Sequence, residues 1–236
     1  MPALTIFPVE GVPEVEAGDI LADLLVAAAR QQGTPFEDRD CVVVTQKVVS
    51  KAEGRVVPLD AEDLEARRAL IESESVRVLR RREELFISET RHGFVCANAG
   101  IDLSNVDDGH AALLPIDPDH SARRVRDGIR ARAEIDVAVI VSDTFGRAWR
   151  VGLTDVAIGV SGLAAVVDLR GQADAHGREL QVTEVALADE IAGAAELVKG
   201  KAAAVPAVIV RGLDEAWFRE SSARELVRPT GEDLFR

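Results

Sequence analysis

The chain has 236 residues, 47% of them apolar and 29% charged, with a formal net charge of −13. That supplies a packed core, excludes disorder as the dominant state, and fits one large domain or two small ones. So acidic a chain is a poor non-specific nucleic-acid binder, and no stretch approaches the roughly 20 uncharged apolar residues of a membrane span.

Leu4–Phe7 reads as a first strand ended by Pro8, and Gly11–Val15 as a Gly/Pro loop. Asp19 is placed to cap a helix carrying Ile20, Leu21, Leu24, Leu25 and Ala28. Cys41–Thr45 is a continuous apolar run typical of a buried strand. A charged helix is expected over 61–80, with Leu64, Ile71 and Val78 spaced seven apart. Leu85–Thr90 and Phe94–Ala97 read as strands joined at His92-Gly93, and a helix follows over about 120–133. Val137–Val141 reads as a strand ended by Ser142-Asp143-Thr144, and Ala164–Leu169 as another. The clearest helix covers 184–198, with Lys199 and Lys201 after its end, and Val208–Val210 is a late strand. Interspersed strands and helices give a mixed α/β class.

Cys41 and Cys96 sit in apolar runs and read as buried thiols, and the four histidines show no metal-ligand spacing. The basic residues are 24 Arg and only four Lys, so each Lys draws notice. Two of them, Lys47 and Lys51, fall in the segment Thr45–Lys51 after the buried strand, where a ligand loop or a solvated loop is expected. Asn98–Asn105 is polar and contains Gly. Asp102 and Asn105 there suit either a hard-metal site or an ordinary turn. Ser142-Asp143-Thr144 offers a second carboxylate beside a hydroxyl, or a helix N-cap, with Arg147 and Arg150 close behind as oxyanion holders. The five arginines between 123 and 132 read as a solvated face, and Trp149 and Trp217 as packing residues. Neither GxxxxGK[ST] nor a GxGxxG after a strand occurs. The nearest approach, Ala195–Ala202, ends a helix where a P-loop would open one.

Several long motifs recur in order: Lys47–Arg55, Ala99–Asn105, Leu114–Asp119, Ser142–Arg150, Val182–Glu190 and Glu196–Lys201. Together they resemble the coenzyme F420-0:γ-glutamyl ligase family over essentially the whole chain. The resemblance implies a mixed α/β (α+β) fold peculiar to that family, neither P-loop nor Rossmann. It implies one ligase domain over 1–236, with a two-lobed arrangement left open and without the C-terminal flavin reductase domain of some relatives. The implied activity is GTP-dependent addition of L-glutamate to the lactyl carboxylate of F420-0, then of further γ-linked glutamates, through an acyl phosphate, releasing GDP and phosphate.

The same resemblance implies two divalent cations (Mn²⁺ or Mg²⁺), K⁺ as a helper, and a homodimer. Carried onto this chain, the GTP contacts fall on Val12, Pro13, Glu14, Val15, Gln46, Lys51 and Asn105, with Gln46 standing where the family pattern has Ser. The metal ligands fall on Asp102, Asp143 and Thr144, and the two aspartates carry the catalysis. The start has no export signal, so a cytoplasmic protein is expected, with small-molecule substrates and neither nucleic acid nor membrane as partner. Two other classes use the same residues: a metal-dependent phosphotransferase or phosphohydrolase, and a non-catalytic GTP sensor.

Overall fold

The computed structural model describes residues 3–103, 108–200 and 203–234. A mixed α/β fold is built on a five-stranded sheet of order β1-β12-β2-β8-β9. Its strands are β1 (Thr5–Val9), β2 (Cys41–Thr45), β8 (Ala138–Arg147), β9 (Arg150–Ser161) and β12 (Ala207–Arg211). Only β2 and β8 run parallel; the other three pairings are antiparallel.

The central strands are apolar without a break because both of their faces are covered. Val42, Val44, Val139, Val141, Ala207 and Ile209 enter one core, together with Leu25 of α1 (Leu21–Gln31) and Val125 and Ile129 of α4 (Pro118–Ala133). The intervening Cys41, Val43, Ala138, Ile140, Val208 and Val210 enter a second core, together with Ala188, Ile191, Ala192 and Ala195 of α5 (Leu187–Lys199). The two-residue period of a strand makes this division. Each fully buried Val or Ile side chain contributes about 1.5–3 kcal/mol of transfer free energy.

Three small sheets surround this body: β3 (Val56–Pro58) with β7 (His110–Ala112); β4 (Ser75–Arg82), β5 (Leu85–Thr90) and β6 (Val95–Ala97); and β10 (Val167–Asp168) with β11 (Glu184–Val185).

Several sequence expectations change. The strand expected over Ala164–Leu169 is reduced to β10, and the helix expected over 184–198 begins at Leu187, after β11. The helix expected over 61–80 stops at Glu74, as α3 (Leu64–Glu74), and the rest is β4. Leu64 and Val78 are exposed while Ile71 is buried, so the seven-residue spacing marks no common face. The segment after β2 is not a loop but a short helix, α2 (Gln46–Ala52). Asp19 does not cap α1, whose N-cap is Ile20; its carboxylate accepts the Glu16 amide instead. The strand expected to end before Ser142 runs on to Arg147 and returns as β9, so Asp143 and Thr144 lie inside a strand and cap no helix.

Candidate active site

One cavity of about 840 Å³ opens beside the ends of β2 and β6 and along β8. Its wall is built from widely separated parts of the chain. The loop after β1 contributes Val12, Pro13, Glu14 and Val15, and α2 contributes Gln46, Lys47 and Lys51. Asp102 comes from the segment after β6, and Asp143 and Thr144 come from β8. Thus all the residues that the resemblance assigns to GTP or metal, among the described residues, line a single space. Asn105 lies outside the described residues.

Local geometry explains how each carboxylate reaches the cavity. Asn98, Ala99 and Gly100 follow β6 with φ of 50°, 55° and 73°, three successive left-handed residues that turn the chain sharply. A Cβ on Gly100 would approach the Leu114 side chain to 2.8 Å, so both its φ and its contact call for glycine. Asp102 is then pinned by paired backbone bonds, donating to Ala112 O at 3.0 Å and accepting from Ala112 N at 2.8 Å. On β8, the pairing with β9 shifts register between Val141 and Ser142, immediately before Asp143. Such a bulge re-aims the side chains that follow it.

Charge is concentrated here. Lys47 and Lys51, one helical turn apart on α2, pair with Asp102 (2.8 Å) and with Glu14. Burial pushes the Asp143 carboxyl up to about 7. The Thr144 amide bond opposes that rise, the Asp102 and Asp155 carboxylates reinforce it, and Lys47 pulls the other way. A raised carboxyl among other carboxylates is the environment that a cation relieves. Asp102, Asp143 and the Thr144 hydroxyl are all oxygen donors, the kind that Mg²⁺ or Mn²⁺ takes. The donor set therefore fits a divalent ion.

Other expectations resolve differently. Gln46 is buried, and its amide nitrogen donates to Leu113 O at 3.0 Å and to Ser50 Oγ at 2.6 Å, so both of its N–H groups are committed within the fold. Arg147 and Arg150 lie on the exposed β8–β9 hairpin and do not line the cavity; Arg147 donates to Val151 O. Trp217 packs against the α5-side core, but Trp149 is 87% exposed at the hairpin tip, overturning its reading as a packing residue. The α4 arginines 124, 126, 130 and 132 pair with carboxylates, as a solvated face would. Both thiols are buried, and burial pushes Cys96 up to about 12 and Cys41 higher still, so neither is a nucleophile.

Wall residues to which sequence reasoning gives no site role include Ser142, Asp155 and Lys199. The sequence pattern puts Lys199 after the helix, yet it is the last residue of α5 and is buried. Its rarity in an Arg-rich chain was the available signal. Asp155 lies on β9, a strand whose apolar residues alternate too irregularly to be recognised.

The model of the F420-0:gamma-glutamyl ligase family matches residues 11–212. The chain belongs to this family. It is 43% identical to the coenzyme F420:L-glutamate ligase of Methanothermobacter thermautotrophicus over 249 residues, covering 99% of both chains. It is 41% identical to the enzyme of that name from Methanopyrus kandleri, covering 100% of this chain and 99% of that one. A third relative so named, from Archaeoglobus fulgidus, is 41% identical, with 98% and 96% covered. The matched region contains every element that reaches the cavity. Among the described residues no helix is long and apolar enough to cross a membrane.

Proposed function

We propose that this chain is a GTP-dependent amide ligase that adds L-glutamate to the lactyl carboxylate of coenzyme F420-0 and then further γ-linked glutamates. The observation that carries this reading is convergence. The residues assigned to GTP (Val12–Val15, Gln46, Lys51) and those assigned to metal (Asp102, Asp143, Thr144) come from four parts of the chain and line one cavity. Family membership and the relatives' names supply the substrate class.

A carboxylate is a poor acceptor for an amine, so it must first be activated. In the proposed reaction an acceptor carboxylate oxygen attacks the γ-phosphorus of GTP, and the bond to the β-phosphate oxygen breaks. GDP leaves and an acyl phosphate forms. The glutamate amine then attacks the acyl carbon, phosphate departs with the C–O electron pair, and the amine loses a proton. Phosphoryl transfer of this kind depends on positioning and charge neutralisation.

In this chain Lys51 and the Val12–Val15 loop hold the nucleotide, and Lys47 offers a positive charge at the phosphate end. Asp102, Asp143 and Thr144 would hold two divalent cations, which would supply charge neutralisation at the phosphate oxygens. K⁺ acts as an accessory cation. The buried thiols take no part.

The working form is a homodimer in the cytoplasm, binding small molecules and neither nucleic acid nor membrane. The exposed hairpin side chains Trp149, Val151 and Leu153 offer an apolar contact surface for a second copy. The deciding experiment is mass spectrometry of F420-0 incubated with GTP, L-glutamate and Mn²⁺. Products stepped by glutamyl units are expected. GTP breakdown that ignores glutamate would instead make the chain a phosphohydrolase.

A further inference from the structure

Behind Thr144 lies a buried polar chain that the proposed chemistry does not use. Asp155 of β9 and Lys199 of α5 are 2% and 4% exposed. Lys199 Nζ donates to Asp155 Oδ2 at 2.5 Å and to Ser142 Oγ at 3.1 Å, and Ser142 Oγ in turn donates to Asp155 Oδ2 at 3.1 Å. The other carboxylate oxygen, Oδ1, accepts the Thr144 hydroxyl at 2.6 Å. Thr144 and Asp155 are direct cross-strand partners in the β8–β9 pairing, so the backbone register itself sets this contact.

Two consequences follow. A threonine hydroxyl has one proton, and here it goes to Asp155, so Thr144 Oγ1 can present only lone pairs to the cavity. That is the state in which a hydroxyl accepts or ligates. Secondly, taking a carboxylate and an ammonium out of water is costly, and an apolar pair of similar volume commonly serves stability as well. A role in geometry accounts for the pair better than one in stability.

We propose that Asp155 is a positioning residue, held by Lys199, that fixes the Thr144 hydroxyl as a ligand for a divalent cation. The assignment rests on the reading of Thr144 as a metal ligand. It parallels the outer-shell carboxylates that orient metal ligands elsewhere, whose loss costs about 10–100-fold in metal affinity.

The test measures Mn²⁺ alone, titrated into the metal-free full chain with free Mn²⁺ followed by electron paramagnetic resonance. The informative variant is Asp155→Asn with Lys199→Met, which removes one charge of each sign at near-equal volume; Glu196, which Lys199 also pairs with at 3.3 Å, keeps 18% of its side chain exposed to water. It should keep the thermal stability of the parent and bind Mn²⁺ about 10–100-fold more weakly. In a Thr144→Val background the same pair of changes should add less than about a threefold loss, because its effect runs through that hydroxyl.

Wild-type Mn²⁺ affinity in the double variant would overturn the proposal. So would an undiminished loss in the Thr144→Val background, since a general disturbance of the wall would persist there. A wild-type chain that takes up no Mn²⁺ would overturn the metal reading itself, and this proposal with it; binding by wild type separates the two failures.

Discussion

Lys47 Nζ lies 2.8 Å from Asp102 Oδ2, joining the helix after β2 to the turn after β6 across the cavity. Both side chains are partly shielded, so the ammonium is a standing counter-charge for a carboxylate assigned to metal. Lys47→Met should therefore destabilise the metal-free chain by roughly 1–2 kcal/mol, the worth of a shielded charge-assisted bond. Mn²⁺ should raise the melting temperature of this variant more than that of wild type, because Asp102 no longer exchanges one cation for another. Differential scanning calorimetry with and without Mn²⁺ checks both. An equal Mn²⁺ shift in the two proteins would refute the exchange.

Asp143 gives the chain a pH dependence of definite sign. Its folded pKa of about 7 lies above the ordinary 3.8, so between these values the folded state binds the extra proton. This group's contribution is complete below about pH 4 and is lost as pH rises through 7. Asp143→Asn should thus melt higher than metal-free wild type at pH 8, by roughly 2–4 °C per kcal/mol recovered at this chain length. The gap should narrow at pH 5 and close only below about pH 4. Ligation should be abolished throughout, and melting curves at the two pH values alongside product analysis decide it.

Lys51 pairs with Glu14, whose side chain is 76% exposed, so the pair adds little to stability. Lys51→Ala should leave the melting temperature within a few degrees of wild type. A lost contact between an ammonium and a phosphate is worth about 1.5–3 kcal/mol, or roughly 10–100-fold in GTP affinity. Isothermal titration with GTP that finds unchanged affinity would remove Lys51 from the nucleotide site.

Gly159 of β9 faces the first turn of α4 at very close range. A Cβ there would come within 2.2 Å of the Pro118 carbonyl oxygen, which is backbone and has no rotamer to escape into. Nearby, Asp119 Oδ1 accepts the Val160 amide at 2.8 Å and fastens the same contact. Gly159→Ala should cost about 1–3 kcal/mol through overpacking, read as a lower denaturation midpoint at unchanged slope.

The hairpin between β8 and β9 carries Trp149, Val151 and Leu153 at 87%, 99% and 68% exposure. Trp149→Asp with Leu153→Asp should convert a dimer of wild type to a monomer in sedimentation velocity, with little change in monomer folding. Wild type sedimenting as a 25.3 kDa species would count against the homodimer.

The sequence by itself determined the central strands of the main sheet and its principal helices. The runs at Cys41–Thr45, Val137–Val141 and Val208–Val210 are continuous because strands buried on both faces need apolar residues at every position. Residues 184–198 announced a helix because one apolar stripe must meet the sheet. Family motifs likewise marked Asp102, Asp143 and Thr144. Tertiary structure alone decided the rest. Whether residues 75–82 continue a helix or pair with β5 depends on a partner strand, which local spacing cannot see. Asp143 sits inside a strand, and not at its end, because β9 returns beside it through Arg147–Arg150. Asp155 and Lys199 are 44 positions apart, and neither is marked by its neighbours. Only the packing of α5 against β9 removes both from water and forces the pair together, while the β8–β9 register sets Asp155 opposite Thr144.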